Sequence, residues 1–434
     1  MHDVLDPRDL VPDEAQQLAH SGYDVQGLDA QAVSAAASGD VETLRRIDRE
    51  LSQLPISDTW GYAEPDDEDE LRKIASGAAA LTFDADSLTD RYLGAWQGRT
   101  VGNTLGKPVE GLSRAEIETY LRAGHNWPQR DYIGLVEPHP AGVGSLHPDA
   151  PVSSRGNFTD VPRDDDIDWT ILGLYMLEKY GESITTEDIA REWLDRLPFT
   201  QTFTAERAAY RNLIFGKPIP ETATFNNPYR EWIGALIRAD IFGFVNPGNP
   251  GSAAIAALTD ARLSHVKNGI YGEMWAAALV AAALSTNDAR VAIEAALTVV
   301  PPKSRLFEAV QSILDVHAAG KDHVAGLDWI DAQLGHYNWV ATVNNAAIIA
   351  AGLLWGTSFT EALAITVAGG NDTDSNGATV GSVYGALHGS SSVPSELVGT
   401  THVHVRSAVR GFDRVTVSEL AERTLALTTR LGRV

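Results

Sequence analysis

The segment GGNDTDSNGATVGSVYGALHG, residues 369–389, joins two closely spaced aspartates to an apolar run with a glycine at every fourth position. This spacing places Gly377, Gly381 and Gly385 nearly on one face of a helix. A glycine inside a helix costs about 1 kcal/mol relative to alanine, so such a stripe needs a compensating contact. The pattern therefore predicts a helix that packs very closely against another helix.

A second segment, GAWQGRTVGNTLG at residues 94–106, has the same glycine spacing. Small residues at this spacing also occur where membrane helices pair, but Gln97, Arg99 and Asn103 argue against a lipid-facing helix. The two striped helices are therefore expected to cross at the centre of a helical bundle. The residues at their ends would then meet other helix ends.

Helical spacing of apolar residues recurs along most of the chain after residue 87, whereas strand patterns are few and short. Pro and Gly concentrate in the connections. The sequence predicts an all-α, compact multi-helix domain over residues 76–434, preceded by a helical N-terminal extension at residues 1–75. The extension is interpreted as a passive appendage, with capping or oligomerisation as alternatives.

The composition excludes several classes of function. The 434 residues include 34 Lys and Arg against 58 Asp and Glu, and a net charge of −24 disfavours general binding to nucleic acid. The absence of cysteine excludes disulfides, thiolate zinc sites and a cysteine nucleophile. No basic, apolar leader and no apolar stretch of about 20 residues is evident. A cytoplasmic protein without a membrane partner is expected.

The first carboxylate cluster is Asp164, Asp165 and Asp166, in front of an amphipathic helix. Capping and the helix dipole explain one or two acidic residues there. Three consecutive carboxylates repel one another unless a cation lies among them. The sequence therefore favours a metal site.

A second cluster, Asp372, Asp374 and Ser375, precedes the striped helix. Its spacing matches the start of an EF-hand loop, but Val383 stands where that loop needs a bidentate glutamate. An Asx cap of the helix is the remaining structural alternative. With the first cluster it offers only hard oxygen ligands, which favour Mg²⁺, Mn²⁺ or Ca²⁺. Glu110, in the loop after the other striped helix, is either a surface residue or a general acid/base beside both clusters.

In order along residues 88–389, the motifs GAWQGRTVGNTLGKPVEG, RDDDIDWTILGLYMLEKYG and GGNDTDSNGATVGSVYGALHG resemble those of the ADP-ribosylglycohydrolase family, which includes the dinitrogenase reductase-activating glycohydrolases. The resemblance implies an all-α fold with two Mg²⁺ ions, or Mn²⁺ instead. It also implies hydrolysis, by a metal-activated water, of the bond to the anomeric carbon of an ADP-ribosyl or ribosyl group.

Carried over by position, the resemblance implies roles for individual residues. The implied metal ligands are Asp164, Asp165, Asp166, Asp372, Asp374 and Ser375. The implied catalytic residues are Glu110, Asp165 and Asp374, and Glu110 matches a glutamate on a mobile loop over the metals. His265 matches a histidine that often precedes a helix, although a lone histidine is more commonly structural.

Three departures from the family pattern concern the substrate. Asn103 replaces an aspartate, Asp164 replaces a hydroxyl residue, and Asn371 is an extra residue after the glycine pair. The residues expected to bind substrate are Asn103, His265, Asn268, Gly370 and Asn371. Two alternatives stay open: hydrolysis of a small nucleoside or other small glycoside, and a non-catalytic, metal-dependent ligand-binding protein.

Overall fold

The computed structural model describes residues 5–433, and within this range the protein is α-helical apart from one short pair of strands. The N-terminal helices are α1 (Pro7–His20), α2 (Leu28–Ser38), α3 (Val41–Leu51) and α4 (Glu68–Ser76). The following helices are α5 (Leu88–Gly106), α6 (Arg114–Ala123), α7 (Ala150–Ser153), α8 (Asp165–Tyr180), α9 (Thr186–Arg196), α10 (Thr204–Ile214), α11 (Glu221–Thr224), α12 (Asp240–Phe244), α13 (Pro250–Ala261), α14 (Lys267–Ala283), α15 (Ala289–Leu297), α16 (Arg305–Ala318), α17 (His323–Leu334), α18 (Thr342–Trp355), α19 (Phe359–Ala368), α20 (Thr373–His388), α21 (Ser395–Val398) and α22 (Val417–Arg430). Strands β1 (His404–Val405) and β2 (Val415–Thr416) pair antiparallel. The expected all-α class is confirmed.

Helices α5 and α20 pack through their glycine faces. A Cβ added to Gly98 would lie 2.0 Å from the carbonyl oxygen of Gly381, and one added to Gly102 would lie 2.0 Å from that of Gly377. Only glycine allows two backbones to approach this closely. Gly98 of α5 meets Gly381 of α20, and the later Gly102 meets the earlier Gly377, so the two helices run antiparallel. The close crossing predicted from the two stripes is confirmed.

Helix α14 passes through the core, and every residue from Asn268 to Ala283 is buried. Helices α13, α15 and α18 pack around it. A helix that is apolar on most sides is stable in this position because neighbouring helices cover it on all sides. Within residues 5–433, no helix combines the length and apolar character required to cross a membrane.

The N-terminal helices are joined to the rest of the chain by a buried polar network around Glu231. Its carboxylate accepts hydrogen bonds from Gln17 Nε2 at 2.8 Å, Ser21 Oγ at 2.8 Å and Arg305 Nη2 at 2.6 Å. Helices α1, α2 and α3 also share a small apolar cluster of their own. The boundary predicted at residue 75 falls inside helix α4. The division of the chain into an N-terminal extension and a catalytic domain stays a prediction.

Candidate functional site

Three helix ends meet at one point because α5 holds the starts of both α8 and α20. Thr373 Oγ1 donates to the carbonyl of Gly106 at 2.8 Å, which fixes α20. Asn103 Nδ2 donates to Asp166 Oδ2 at 2.8 Å, and Arg99 Nη2 donates to the carbonyl of Asp166 at 2.6 Å, which fixes α8. The acidic starts of α8 and α20 are thereby brought to the end of α5.

The meeting point contains two groups of three carboxylates. The ligand oxygens of Glu110, Asp372 and Asp374 lie within 4.8 Å of one another, and so do those of Asp164, Asp166 and Asp374. We call these five residues the carboxylate cluster. Asp374 belongs to both groups of three, and each group could hold a metal ion.

Helix capping accounts for only part of this cluster. Asp164 caps α8 and accepts a hydrogen bond from the amide of Asp166 at 3.1 Å. Asp372 is the N-cap residue of α20, but its side chain makes no capping hydrogen bond. The Asx-cap alternative therefore does not explain the Asp372 carboxylate.

Three buried carboxylate oxygens of the cluster have no hydrogen-bond donor. They are Oδ1 of Asp166, Oδ1 of Asp372 and Oδ1 of Asp374, whose residues are 1%, 5% and 2% exposed. A buried polar atom without a partner is costly, so such oxygens indicate a missing electropositive group. Carboxylate oxygens of this kind are the ligands of hard divalent cations. The cluster therefore fits a divalent metal ion.

Lys107 lies inside the cluster, directly after α5. Its Nζ lies 2.8 Å from Glu110 Oε2, 2.8 Å from Asp374 Oδ2 and 2.9 Å from Asp164 Oδ2. Lys107 was not among the site residues predicted from the sequence. Its position three residues before Glu110, at the end of a striped helix, was the available signal.

The carboxylates differ in protonation because they differ in their neighbours. Burial raises the pKa of Glu110 to about 8, the charge of Asp374 adds to this, and Lys107 opposes it. Burial also raises the pKa of Asp166 and Asp372 well above their usual range. For Asp164, burial raises the pKa, but Lys107, Arg163 and the amide of Asp166 together outweigh burial and the net shift is downward. A cation in the cluster would favour the ionised form of these groups.

Two predicted ligands lie at the edge of this arrangement. Asp165 is partly exposed and is outside both groups of three. Burial and the charge of Asp164 raise its pKa to about 7. Ser375 is buried, and its side chain forms a hydrogen bond with Asp372 that opposes the upward shift of that pKa.

The loop before α20 carries the extra residue. Gly370 and Asn371 both have left-handed backbones, with φ of 70° and 62°. The carbonyl of Asn371 accepts from the amide of Gly111 at 3.0 Å, which joins this loop to the one that carries Glu110. Asn345 was also missed: its Oδ1 accepts from the amide of Asp372 at 3.3 Å and therefore positions the start of α20.

His265 and Asn268 make their hydrogen bonds in other parts of the fold. Asn268 Nδ2 donates to Glu64 and Glu231, each at 2.8 Å, and Asn268 Oδ1 accepts from the amide of Leu306 at 3.0 Å. Both polar atoms of this side chain are thus engaged in joining the N-terminal segment. The ring of His265 is buried and pairs with Ser264 at 2.8 Å. Of the expected substrate-binding residues, Asn103, Gly370 and Asn371 lie beside the cluster.

Comparison with known proteins identifies the family of the chain. The family model described as ADP-ribosylglycohydrolase matches residues 84–432. A solved structure titled "ADP-ribosylglycohydrolase-related protein complex" is 19% identical, with a TM-score of 0.45, over 79% of this chain and 99% of that chain. No curated protein matches the chain. Because the family model covers most of its length, the chain belongs to the ADP-ribosylglycohydrolase family.

Proposed function

We propose that the chain is a metal-dependent glycoside hydrolase that cleaves the bond to the anomeric carbon of an ADP-ribosyl or ribosyl group. Membership of the ADP-ribosylglycohydrolase family supports the reaction class. The observation that carries the metal requirement is the pair of carboxylate groups sharing Asp374, with three buried oxygens that lack donors. Mg²⁺ is the proposed ion, with Mn²⁺ as the alternative, because all the ligands are hard oxygens.

The carboxylate cluster would hold the metal, with Ser375 as a further oxygen ligand beside Asp372. A divalent ion bound there supplies Lewis-acid chemistry, since it activates water and orients the hydroxyl groups of a sugar. The transition state of glycoside cleavage has oxocarbenium character. Carboxylates fixed around the sugar stabilise this positive charge electrostatically.

Glu110 is the proposed general acid/base. Its carboxyl lies beside Asp374 within the cluster, where it can accept a proton from a water molecule or return one to the leaving group. The hydrogen bond from Lys107 Nζ, at 2.8 Å, holds the carboxyl in position. Asp165, with a pKa of about 7 and partial exposure, is a second group able to carry a proton between the cluster and solvent.

Asn103, Gly370 and Asn371 are proposed to contact the sugar or the leaving group. Asn103 is bonded to Asp166 inside the cluster, and Asn371 lies on the loop joined to the Glu110 loop. His265 and Asn268 are given supporting roles, because their hydrogen bonds belong to the core and to the N-terminal network. The extra residue Asn371 leaves a small nucleoside or other small glycoside as the second candidate substrate.

The test is product analysis with ADP-ribosyl-arginine, ADP-ribosyl-serine, ADP-ribose-1″-phosphate and simple nucleosides, each with Mg²⁺ or with EDTA. Release of ADP-ribose that requires Mg²⁺ is expected. Asp374→Asn should lower kcat/KM by at least about 100-fold, because it removes the ligand shared by both groups. Asp328→Asn, at an exposed position, is the matched control.

Undiminished turnover in EDTA or in Asp374→Asn would contradict the metal requirement. Cleavage of nucleosides alone would select the second candidate substrate. Binding of ADP-ribose without turnover of any compound would instead indicate a ligand-binding protein.

A further inference from the structure

The ammonium of Lys107 occupies a position that a metal ion would be expected to take. It is hydrogen-bonded or ion-paired to Glu110, Asp164 and Asp374 at 2.8–2.9 Å. Glu110 and Asp374 belong to one group of three carboxylates, and Asp164 and Asp374 belong to the other. A lysine ammonium has three N–H donors and no acceptor, so three carboxylate partners use its full capacity.

The side chain is held firmly in this place. Residue 107 is 8% exposed, and its backbone lies in a short 3₁₀ turn, Lys107–Val109, that follows α5 without a break. Removing the ammonium from three carboxylates without replacing its charge would be strongly unfavourable. An ammonium surrounded by three carboxylates at this distance keeps its positive charge.

A metal ion and this ammonium compete for the same oxygens. Like charges a few ångströms apart in a buried site repel each other strongly, and a divalent ion doubles the repulsion that a unit charge would feel. Two divalent ions beside Lys107 would each face that repulsion. A single ion can instead use the oxygens that Lys107 leaves free.

We propose that the Lys107 ammonium takes the place of one of two cations, so that the centre binds one divalent ion rather than two. This inference rests on the proposed function, since it concerns the same metal centre. Asp374 would hold this ion through Oδ1, because Oδ2 accepts a hydrogen bond from Lys107. Asp166 or Asp372 would supply a further oxygen, since their Oδ1 atoms also lack donors.

The experiment measures bound Mn²⁺ per chain in the full-length protein, by elemental analysis after gel filtration and by calorimetric titration of metal-free protein. The wild-type protein should bind one Mn²⁺ and Lys107→Met should bind two. Lys321→Met, at an exposed lysine, is the control and should bind one. Asp372→Asn and Asp166→Asn each remove a ligand from one of the two groups of three carboxylates. The variant that weakens Mn²⁺ binding more identifies the group that holds the single ion.

The electron paramagnetic resonance spectrum of the Mn²⁺-saturated wild-type protein provides a measurement that needs no variant. An isolated six-line Mn²⁺ signal is expected. A spin-coupled signal, or two ions in the wild-type protein, would overturn the inference while leaving metal-dependent hydrolysis intact. One ion in a folded Lys107→Met would overturn it as well. No bound ion in the wild-type protein would overturn both the inference and the metal requirement of the proposed function.

Discussion

Individual carboxylates in the cluster differ in what they contribute to stability. Asp372 has an oxygen without a donor, and burial raises its pKa well above the usual range. Asp164 lies 2.9 Å from Lys107, and its pKa is lowered despite burial. The first carboxylate therefore destabilises the metal-free fold when it is charged, whereas the second stabilises it.

This difference predicts opposite effects of two equivalent substitutions on the metal-free protein at pH 7. Asp372→Asn should raise the free energy of unfolding, because it removes a carboxylate whose charged form burial disfavours. Asp164→Asn should lower the free energy of unfolding, because Lys107 loses one of its three carboxylate partners. Urea unfolding in EDTA measures both. Destabilisation by both substitutions would contradict the assignment of Asp372 as an uncompensated charge.

A buried histidine predicts the response of stability to acid. His402 is 1% exposed, and burial lowers its pKa from 6.5 to about 3. Its folded pKa is lower than its unfolded pKa, so its contribution to stability is complete above pH 6.5 and is lost as the pH falls towards 3. The loss should be about 1.4 kcal/mol per pH unit.

Urea unfolding between pH 7 and pH 5 tests this response. The slope of stability against pH should become shallower in His402→Gln than in the wild-type protein. An unchanged slope would show that His402 does not titrate in this way. The remaining slope would then come from other groups, such as His20, whose pKa burial lowers to about 4.

At the residue scale, the acidic groups could be predicted but their partners could not. Consecutive aspartates and Asp-x-Asp before a helix indicate cations from local repulsion alone. The contacts of Lys107 with Asp164 and Asp374, and the hydrogen bond that the amide of Asp372 donates to Asn345, depend on how distant helices pack. The spacing within one segment could have indicated the pair of Lys107 and Glu110, but not contacts between residues far apart in the sequence.

The antiparallel pair of α5 and α20 is the element that positions the site. Gly106 lies against Thr373, so the last residues of α5 and the first residues of α20 are adjacent. The close packing of the two helices could be predicted, because a glycine at every fourth position has few physical explanations. The direction of the second helix and the identity of the third, α8, required the structure.

Gly381→Ala should separate the two helices. The added Cβ would lie 2.0 Å from the carbonyl oxygen of Gly98, which belongs to rigid backbone. Overpacking of a core typically costs about 1–3 kcal/mol, and a clash between two backbones should reach the upper end of this range or exceed it. Gly61→Ala is the control, because no atom lies within 4 Å of its added Cβ.

Urea unfolding measures the stability of both variants, and calorimetry measures their affinity for Mn²⁺. Metal affinity should also fall in Gly381→Ala, because the helix ends that carry the ligands move apart. Wild-type stability in this variant would mean that the close crossing of α5 and α20 is not required for the fold.

The whole molecule includes the N-terminal helices as a fixed part. Glu231 connects α1 to the core through Gln17, Ser21 and Arg305, and Arg305 also pairs with Glu64 at 2.8 Å. The sequence predicted helices here but neither their attachment nor the part that Asn268 plays in it. Buried polar networks between distant segments are invisible to helical periodicity.

Glu231→Ala should release the N-terminal helices from the main body. Breaking one partner from a buried ion pair costs about 3–5 kcal/mol, because the remaining charge stays buried. Limited proteolysis should then cleave the connection between α3 and α4 more rapidly, and urea unfolding should show the loss. Glu422→Ala, at an exposed glutamate, should change neither. Equal behaviour of both variants would contradict the docking role of Glu231.

The central claim is that the carboxylate cluster binds a divalent ion at which a ribose is cleaved. Anomalous diffraction from a crystal soaked with Mn²⁺ and ADP-ribose tests it most directly. An anomalous peak is expected about 2.0–2.6 Å from an oxygen of Asp374, the range of bonds between hard cations and oxygen, with the terminal ribose beside it. A cluster without an anomalous peak, or ADP-ribose bound only at a distant surface, would contradict the claim.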